Sequence, residues 1–352
     1  MENFVPSPID KTAPLSAAPH PNDLDVTDSV CVSDPEAVKR EVLSIVTGTF
    51  PGVSTGPLEA AFTLFAQVYQ GRLPGYQACD TLYHDLQHSL DITLTTARLL
   101  KGYQKVHGTL DAEEMLLGIV TALYHDVGYI RHSDDHATKN GAEYTHTHVS
   151  RGAEFMQSHL PLIGLAATAD RAKVIVHLTG YEKPPSDIVT RNPADRLVGD
   201  MVATADLITQ MADRCYLEKC RDRLFPEFVL AAANDAPVST LPIYSSPEAL
   251  LYNTPGFYRL YVRRRLESDF KGVFKYAAAF FNGPNLYIEK LESNIRYLEK
   301  LIDKNDLSEL HRRTPENYGT YVFPYEYMQQ LLEKRKKAQP QKNSDKSDSS
   351  TP

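Results

Sequence analysis

The chain has 352 residues, 42% of them hydrophobic and 23% charged, and a formal net charge of -8. Such a composition belongs to a soluble globular protein with room for one large domain or two modest ones. The acidic balance speaks against binding duplex nucleic acid, which favours a basic face. No apolar run reaches the roughly 18 residues that a membrane span needs.

Residues 1–34 are rich in Pro, Ser, Ala and Asp, without hydrophobic period, and read as a flexible arm. The start lacks a basic segment followed by an apolar stretch, so no signal peptide is expected. The four cysteines, Cys31, Cys79, Cys215 and Cys220, form no Cys-x-x-Cys pair. They read as reduced thiols of a cytoplasmic protein.

From Pro35 onward the pattern is helical, and strand-like alternation with Asn-Gly turns is scarce. Asp34 and Pro35 open a helix running to Val46. Pro57 to Tyr69 and the long amphipathic stretch Thr81 to Tyr103 follow. Asp111 to Tyr129 carries Leu116, Ile119, Val120 and Leu123 at helical spacing. Further helices are expected over His146 to His159, Ala169 to Leu178, and from the Asn192 cap and Pro193 to Lys219. Asn234 to Pro255 reads as a loop. Gly256 to Phe281 and Pro284 to Lys304 complete the set. In the last, Leu291, Ile295, Leu298 and Ile302 form a core-packing stripe. The expected class is therefore all-α: an arm (residues 1–34), a main domain (35–233), a helical extension (234–332) and a polar, Lys- and Ser-rich tail (333–352).

Chemistry concentrates in five places. "YHDLQHSLD" puts His84 and His88 four apart, on one face of the expected helix. "LYHDVGYIRH" places His125 and Asp126 at the end of an apolar helix, where a carboxylate without a partner is costly to bury. "THTHVSRGAEF" offers His146 and His148, and "VIVHLTGYE" offers His177. "DMVATADLITQMADR" sets Asp206 among apolar neighbours. His88, His125, Asp126, His148, His177 and Asp206 together suit transition-metal ions such as Zn, Mn, Fe or Ni, with Mg also open. Six such groups exceed the needs of one tetrahedral ion, so two divalent ions are expected, with Asp126 as the bridge. Two ions about 3.5–4 Å apart can clamp a phosphoryl centre.

The order His…His-Asp…His…His…Asp on helices resembles the HD superfamily of metal-dependent phosphohydrolases, over roughly residues 75–219. The resemblance implies that His88, His125, Asp126 and Asp206 hold the first ion. "YHDLQHSLD" is similar to the Tyr-His-Asn-x-x-His signature of cyclic-nucleotide phosphodiesterases, with Asp85 in place of Asn. That similarity implies His84 as the proton donor to the leaving oxygen. His148 and His177 look like the added second-ion ligands of the HD-GYP branch and of HD-type di-iron oxygenases, although Tyr129 stands where HD-GYP proteins have Lys. The implied activity is hydrolysis of a phosphoester or phosphodiester, of a nucleotide or cyclic nucleotide, by hydroxide held between two ions. An oxygenase on the same scaffold, or a non-catalytic module stabilised by metal, are the alternatives. Arg151, one turn after His148, could hold phosphate bidentately, and Gln210 and Asp213 could contact a small phosphorylated ligand or orient the ligands. The C-terminal helices could shape the pocket or pair with a second copy in a homo-oligomer.

Overall fold

Helix caps written into the sequence start several of the elements. The structure, a computed structural model, describes residues 19–232, 244–315 and 323–338. Helix α1 (Pro35–Thr49) begins at Asp34, whose carboxylate accepts from the Glu36 N–H at 2.9 Å. Helix α2 is Gly56–Tyr69, and α3 is Leu86–His107. Asp111 and Glu114 close a reciprocal capping box on α4 (Ala112–Tyr124), satisfying two donors that a helix start would leave bare. Next come α5 (His148–His159), α6 (Ala166–Ile175) and α7 (Pro193–Ala212), the last capped by Asn192. Short α8 (Tyr216–Lys219) and α9 (Phe225–Ala231) flank a π-helical turn at Cys220–Leu224. Then follow α10 (Pro247–Phe257), α11 (Tyr276–Phe281), α12 (Leu286–Asp303) and α13 (Tyr325–Ala338). The fold is all-α. Among the described residues the extended pairings are two isolated bridges, Leu24 with Cys31 and Tyr76 with His132.

Helix α3 is the axis, packed by α1, α4, α7 and α11. Neighbours enclose it on most sides, so Ile92, Leu94, Leu99 and Leu100 are buried together with Ser89, Thr93, Thr95 and Thr96. The buried hydroxyls largely satisfy themselves locally. Thr93 Oγ1 donates to the Ser89 carbonyl at 2.7 Å and Thr95 Oγ1 to that of Asp91 at 3.0 Å, the i−4 bonding open to Thr in helices. Gly102 lets α11 close on α3, since a Cβ there would lie 1.9 Å from the Tyr276 carbonyl oxygen.

Three expectations change. The arm is built into the bundle from residue 19 onward. Asp25 is buried there and pairs with Arg98 of α3 at 2.6 Å, while Arg98 also donates to the Tyr287 hydroxyl at 2.8 Å. A polar sequence hid this anchor because the partner lies far along the chain. Residues 1–18 lie outside the described part. Second, the expected loop ends early: Ser246 accepts from the Ala249 N–H and starts α10 at Pro247, while residues 233–243 lie outside the described part. Third, the extension is no separate layer. One continuous apolar core runs from Val30 to Leu310, with α11 against α3 and α12 against α7. Leu291, Ile295 and Leu298 face it as expected. Of the tail expected at residues 333–352, the start is helical as the end of α13, and 339–352 lie outside the described part.

Candidate metal centre and its cavity

His88, His125, Asp126 and Asp206 converge from three segments. Asp85 caps α3 by accepting from the His88 N–H at 2.9 Å, which sets His88 in the first turn. His125 and Asp126 follow the last residue of α4, where the chain leaves the helix. Asp206 comes from the middle of α7. His88 Nε2 lies 3.2 Å from Asp126 Oδ2 and 3.5 Å from Asp206 Oδ1. His125 Nε2 lies 3.1 Å from Asp126 Oδ2 and 3.8 Å from Asp206 Oδ1. Ligand atoms about 2.0–2.2 Å from one ion stand about 3–3.5 Å apart, so these separations suit a single coordination sphere.

The donor set fits a cation on a second ground. His125 Nε2 and Asp126 Oδ2 are buried without a hydrogen-bond partner, a cost that native interiors rarely carry. Meanwhile His125 Nδ1 lies 2.8 Å from the Ala122 carbonyl and His148 Nδ1 lies 2.7 Å from that of Thr145. Those contacts fix the rings with Nε2 free to ligate. Burial pulls the His88 pKa down, but the adjoining Asp126 and Asp206 carboxylates outweigh it and raise it to about 10. The two carboxylates thus demand positive charge at this point, as a proton or as a metal. Burial likewise works against the Asp126 charge, yet His125 and His88 hold its pKa well below the usual carboxylate range.

His148 Nε2 sits 3.5 Å from the other Asp126 oxygen, Oδ1. Gly128 makes that approach feasible: a Cβ there would fall 1.8 Å from the His148 carbonyl oxygen. Tyr129, also buried, stacks on His148 at 4.3 Å and on His84 at 4.6 Å between ring centres. Its phenol ring fills the space between the two imidazoles.

His84 precedes α3 instead of sharing a helical face with His88, because the helix starts only at Leu86. The two rings still meet edge to face at 5.5 Å. What holds His84 is Glu227 of α9, buried and invisible to local sequence reasoning from 143 residues away. Glu227 Oε2 lies 2.5 Å from His84 Nδ1, and Oε1 accepts from the Tyr83 N–H at 2.6 Å. Burial lowers the His84 pKa, but the Glu227 charge and hydrogen bond more than reverse it, so the net shift is upward from 6.5.

Four expected site residues are placed otherwise. His177 lines a different depression, with Ser150, Lys173 and Lys183. The cavity beside His148 is lined instead by Glu182, whose Oε2 stands 3.9 Å from His177 Nδ1. His177 lies in the 3₁₀ turn Val176–Leu178 that follows α6, with its Nδ1 buried and without a hydrogen bond. Arg151 is no phosphate clamp: its Nε and one terminal nitrogen donate to the carbonyls of Gly128 at 2.8 Å and Ile130 at 3.0 Å. It docks α5 on the His-Asp turn. Gln210 reaches the cavity wall, yet accepts from the Tyr83 hydroxyl and donates to the Asp206 carbonyl, both at 2.9 Å. Asp213 terminates α7, accepting from the Cys215 N–H at 2.7 Å and pairing with Lys219 at 2.5 Å.

His84, Asp126, His148 and Asp206 line the inner part of a cavity of about 380 Å³, the size of a small-molecule site. His146 lines it too. The polar loop after Tyr129 is pinned: Asp80 pairs with Arg131 at 2.8 Å and accepts from the Gly141 N–H at 2.7 Å. The rest of the wall is largely apolar, from α7, α9, α10 and the turn after α10. The C-terminal segment thereby contributes directly to the cavity.

The family model described as Npun_R2479-like matches residues 63–141. The matched stretch contains His84, His88, His125 and Asp126 and stops short of His148 and Asp206. No curated protein matches the chain.

Proposed function

We propose that the chain is a metal-dependent phosphoester hydrolase of the HD type, acting on a phosphodiester. The observation that carries the reading is the convergence of His88, His125, Asp126 and Asp206, with two orphaned donor atoms, on a cavity that also presents His84 braced by Glu227. His88, His125, Asp126 and Asp206 would hold one divalent ion. Asp126 Oδ1 and His148, with Glu182 beside them, mark the second position. A cation there supplies positive charge that polarises a phosphoryl group and acidifies water.

The chain's own residues supply the rest. Glu227 keeps His84 charged, with Nδ1 turned toward the carboxylate and Nε2 left for the cavity. As the P–O bond to the leaving group breaks and water adds to phosphorus, His84 gives its Nε2 proton to the departing oxygen. Tyr129 keeps the His84 and His148 rings parallel and apart. A nucleotide is one phosphoester this chemistry accommodates. The oxygenase alternative calls for both His148 and His177 on the second ion, and His177 faces another depression.

The test is metal content by elemental analysis, then hydrolysis of bis(p-nitrophenyl) phosphate with added Mn, Zn, Mg or Fe(II). We expect metal-dependent turnover, and Asp126→Ala to lower it by about a thousandfold, the scale of losing a strong electrostatic clamp. Turnover unaffected by Asp126→Ala, or metal-loaded protein inert toward every phosphoester while consuming oxygen, would sink the proposal.

A further inference from the structure

The cavity's charge and lining bear on its substrate class. Its walls contain no Lys and no Arg among the described residues, but include three acids, Asp126, Glu182 and Asp206. Two arginines whose bonding partners adjoin the cavity are turned to structural work. Arg151 donates to the Gly128 and Ile130 carbonyls. Arg265 donates to the Leu178 carbonyl at 3.1 Å and the Tyr261 hydroxyl at 2.9 Å, stacked 4.8 Å from the Phe270 ring centre. Two divalent ions would bring four positive charges against these three carboxylates, leaving about one positive charge, which balances a single phosphoryl group and is too little for a chain of phosphates.

Beyond the metal ligands, the wall is largely apolar and aromatic, and three of its hydroxyls, on Thr145, Thr179 and Thr254, donate to the carbonyls of Ala142, Val176 and Leu250. Phe228, Leu224, Leu250, Tyr244 and Met211 line it, and Phe257 and Tyr261, stacked with ring centres 5.2 Å apart, line it from the α10 side. Gln210, the one side-chain amide in this wall among the described residues, has both ends occupied within the protein. A polar base edge or a sugar therefore finds few free partners here, whereas apolar surface gains from burial.

We infer that the cavity selects a phosphoester carrying a single phosphoryl group and an uncharged aromatic or aliphatic body, in preference to nucleoside polyphosphates. The inference rests on the phosphohydrolase reading for the phosphoryl group, while the apolar preference rests on the walls alone.

The test is calorimetric binding to the metal-loaded full chain. The probes are methyl-, butyl- and phenylphosphonate, inorganic phosphate and ADP. Affinity is expected to climb about eight- to sixtyfold from methyl- to butylphosphonate, at about two- to fourfold per methylene buried. Phenylphosphonate should bind at least as tightly as butyl, and ADP no more tightly than methylphosphonate. Phe228→Ser should flatten the climb while leaving inorganic phosphate affinity in place. A flat series, or ADP matching phenylphosphonate, overturns the inference even if phosphodiesters are hydrolysed. A steep series in a protein that hydrolyses no phosphoester would instead retain the apolar preference and remove the hydrolase reading.

Discussion

Helix α3 carries two buried polar clusters, and they are built on opposite principles. Around Arg98, charge is met by charge. Asp25 pairs with the guanidinium and also accepts from Thr27 Oγ1 and from the N–H groups of Ser29 and Val30. Tyr287 takes a further guanidinium proton. Around His88, several imidazoles and carboxylates crowd together, yet His125 Nε2 and Asp126 Oδ2 have no hydrogen-bond partner. The first cluster pairs its opposite charges within the protein, with the Arg98 Nε–H left without a hydrogen bond, and ties the N-terminal segment and α12 to the core. The second leaves lone pairs of an imidazole and a carboxylate unused, the kind of atom that a cation can take up. A buried charged group is thus weak evidence of function in itself, and the stronger sign is unspent coordination capacity.

The contrast can be broken most severely at Arg98. Arg98→Ala leaves Asp25 buried and unpaired, so thermal unfolding should show a loss of about 3–5 kcal/mol. Asp126→Ala removes a charge from the open cluster and should cost far less stability in metal-free protein. If the two variants lose equal stability without metal, the distinction between the clusters fails.

A smaller effect is expected at Glu227. Glu227→Gln should reduce turnover about ten- to a hundredfold, the range for groups that orient a functional histidine. The sign of its pH effect is specific. In the proposed mechanism His84 acts as an acid and must be protonated, and its pKa is raised, so activity is lost as pH rises through that raised value. Without the carboxylate, burial and the neighbouring His88 act on His84 against the charge of Asp126 only, and the pKa falls. The alkaline limb of the pH–rate profile should then move to lower pH. A limb that stays put would remove Glu227 from its proposed role.

The smallest effect concerns acid stability. Burial pushes the Asp25 pKa up, but Arg98 and the local hydrogen bonds outweigh it, so it lies below 3.8. Its stabilising contribution is then complete above about pH 3.8 and is lost as pH falls through the lowered folded-state value. Acid titrations of unfolding should show this loss in the wild type. Asp25→Asn, weaker at neutral pH, should lack that component of the slope.

Much of the site was legible from sequence because its ligands sit in short local patterns. An imidazole in a helix's first turn, a His-Asp pair at a helix end and an Asp within an apolar helix each show in a few residues. The caps Asp34, Asp111 and Asn192 were legible for the same reason, since a cap bonds to a backbone N–H two or three residues away. Arg151 misled because its spacing from His148 on the helix says which side it leaves by and nothing about which acceptor it meets. His177 misled because its helix gives way to a 3₁₀ turn, where α-helical spacing no longer says which side a residue leaves by.

The sequence by itself determined the helical class, several caps and four polar residues that converge, because each shows in a turn or two of helix. Only the tertiary structure decided that Glu227 braces His84, that Gly128 admits α5 to Asp126, that Tyr129 separates two imidazoles, and that the cavity wall is free of Lys and Arg among the described residues. Those features join residues tens to well over a hundred positions apart. Their geometry follows from which helix faces bury together around α3, a choice made by the packing of the whole core.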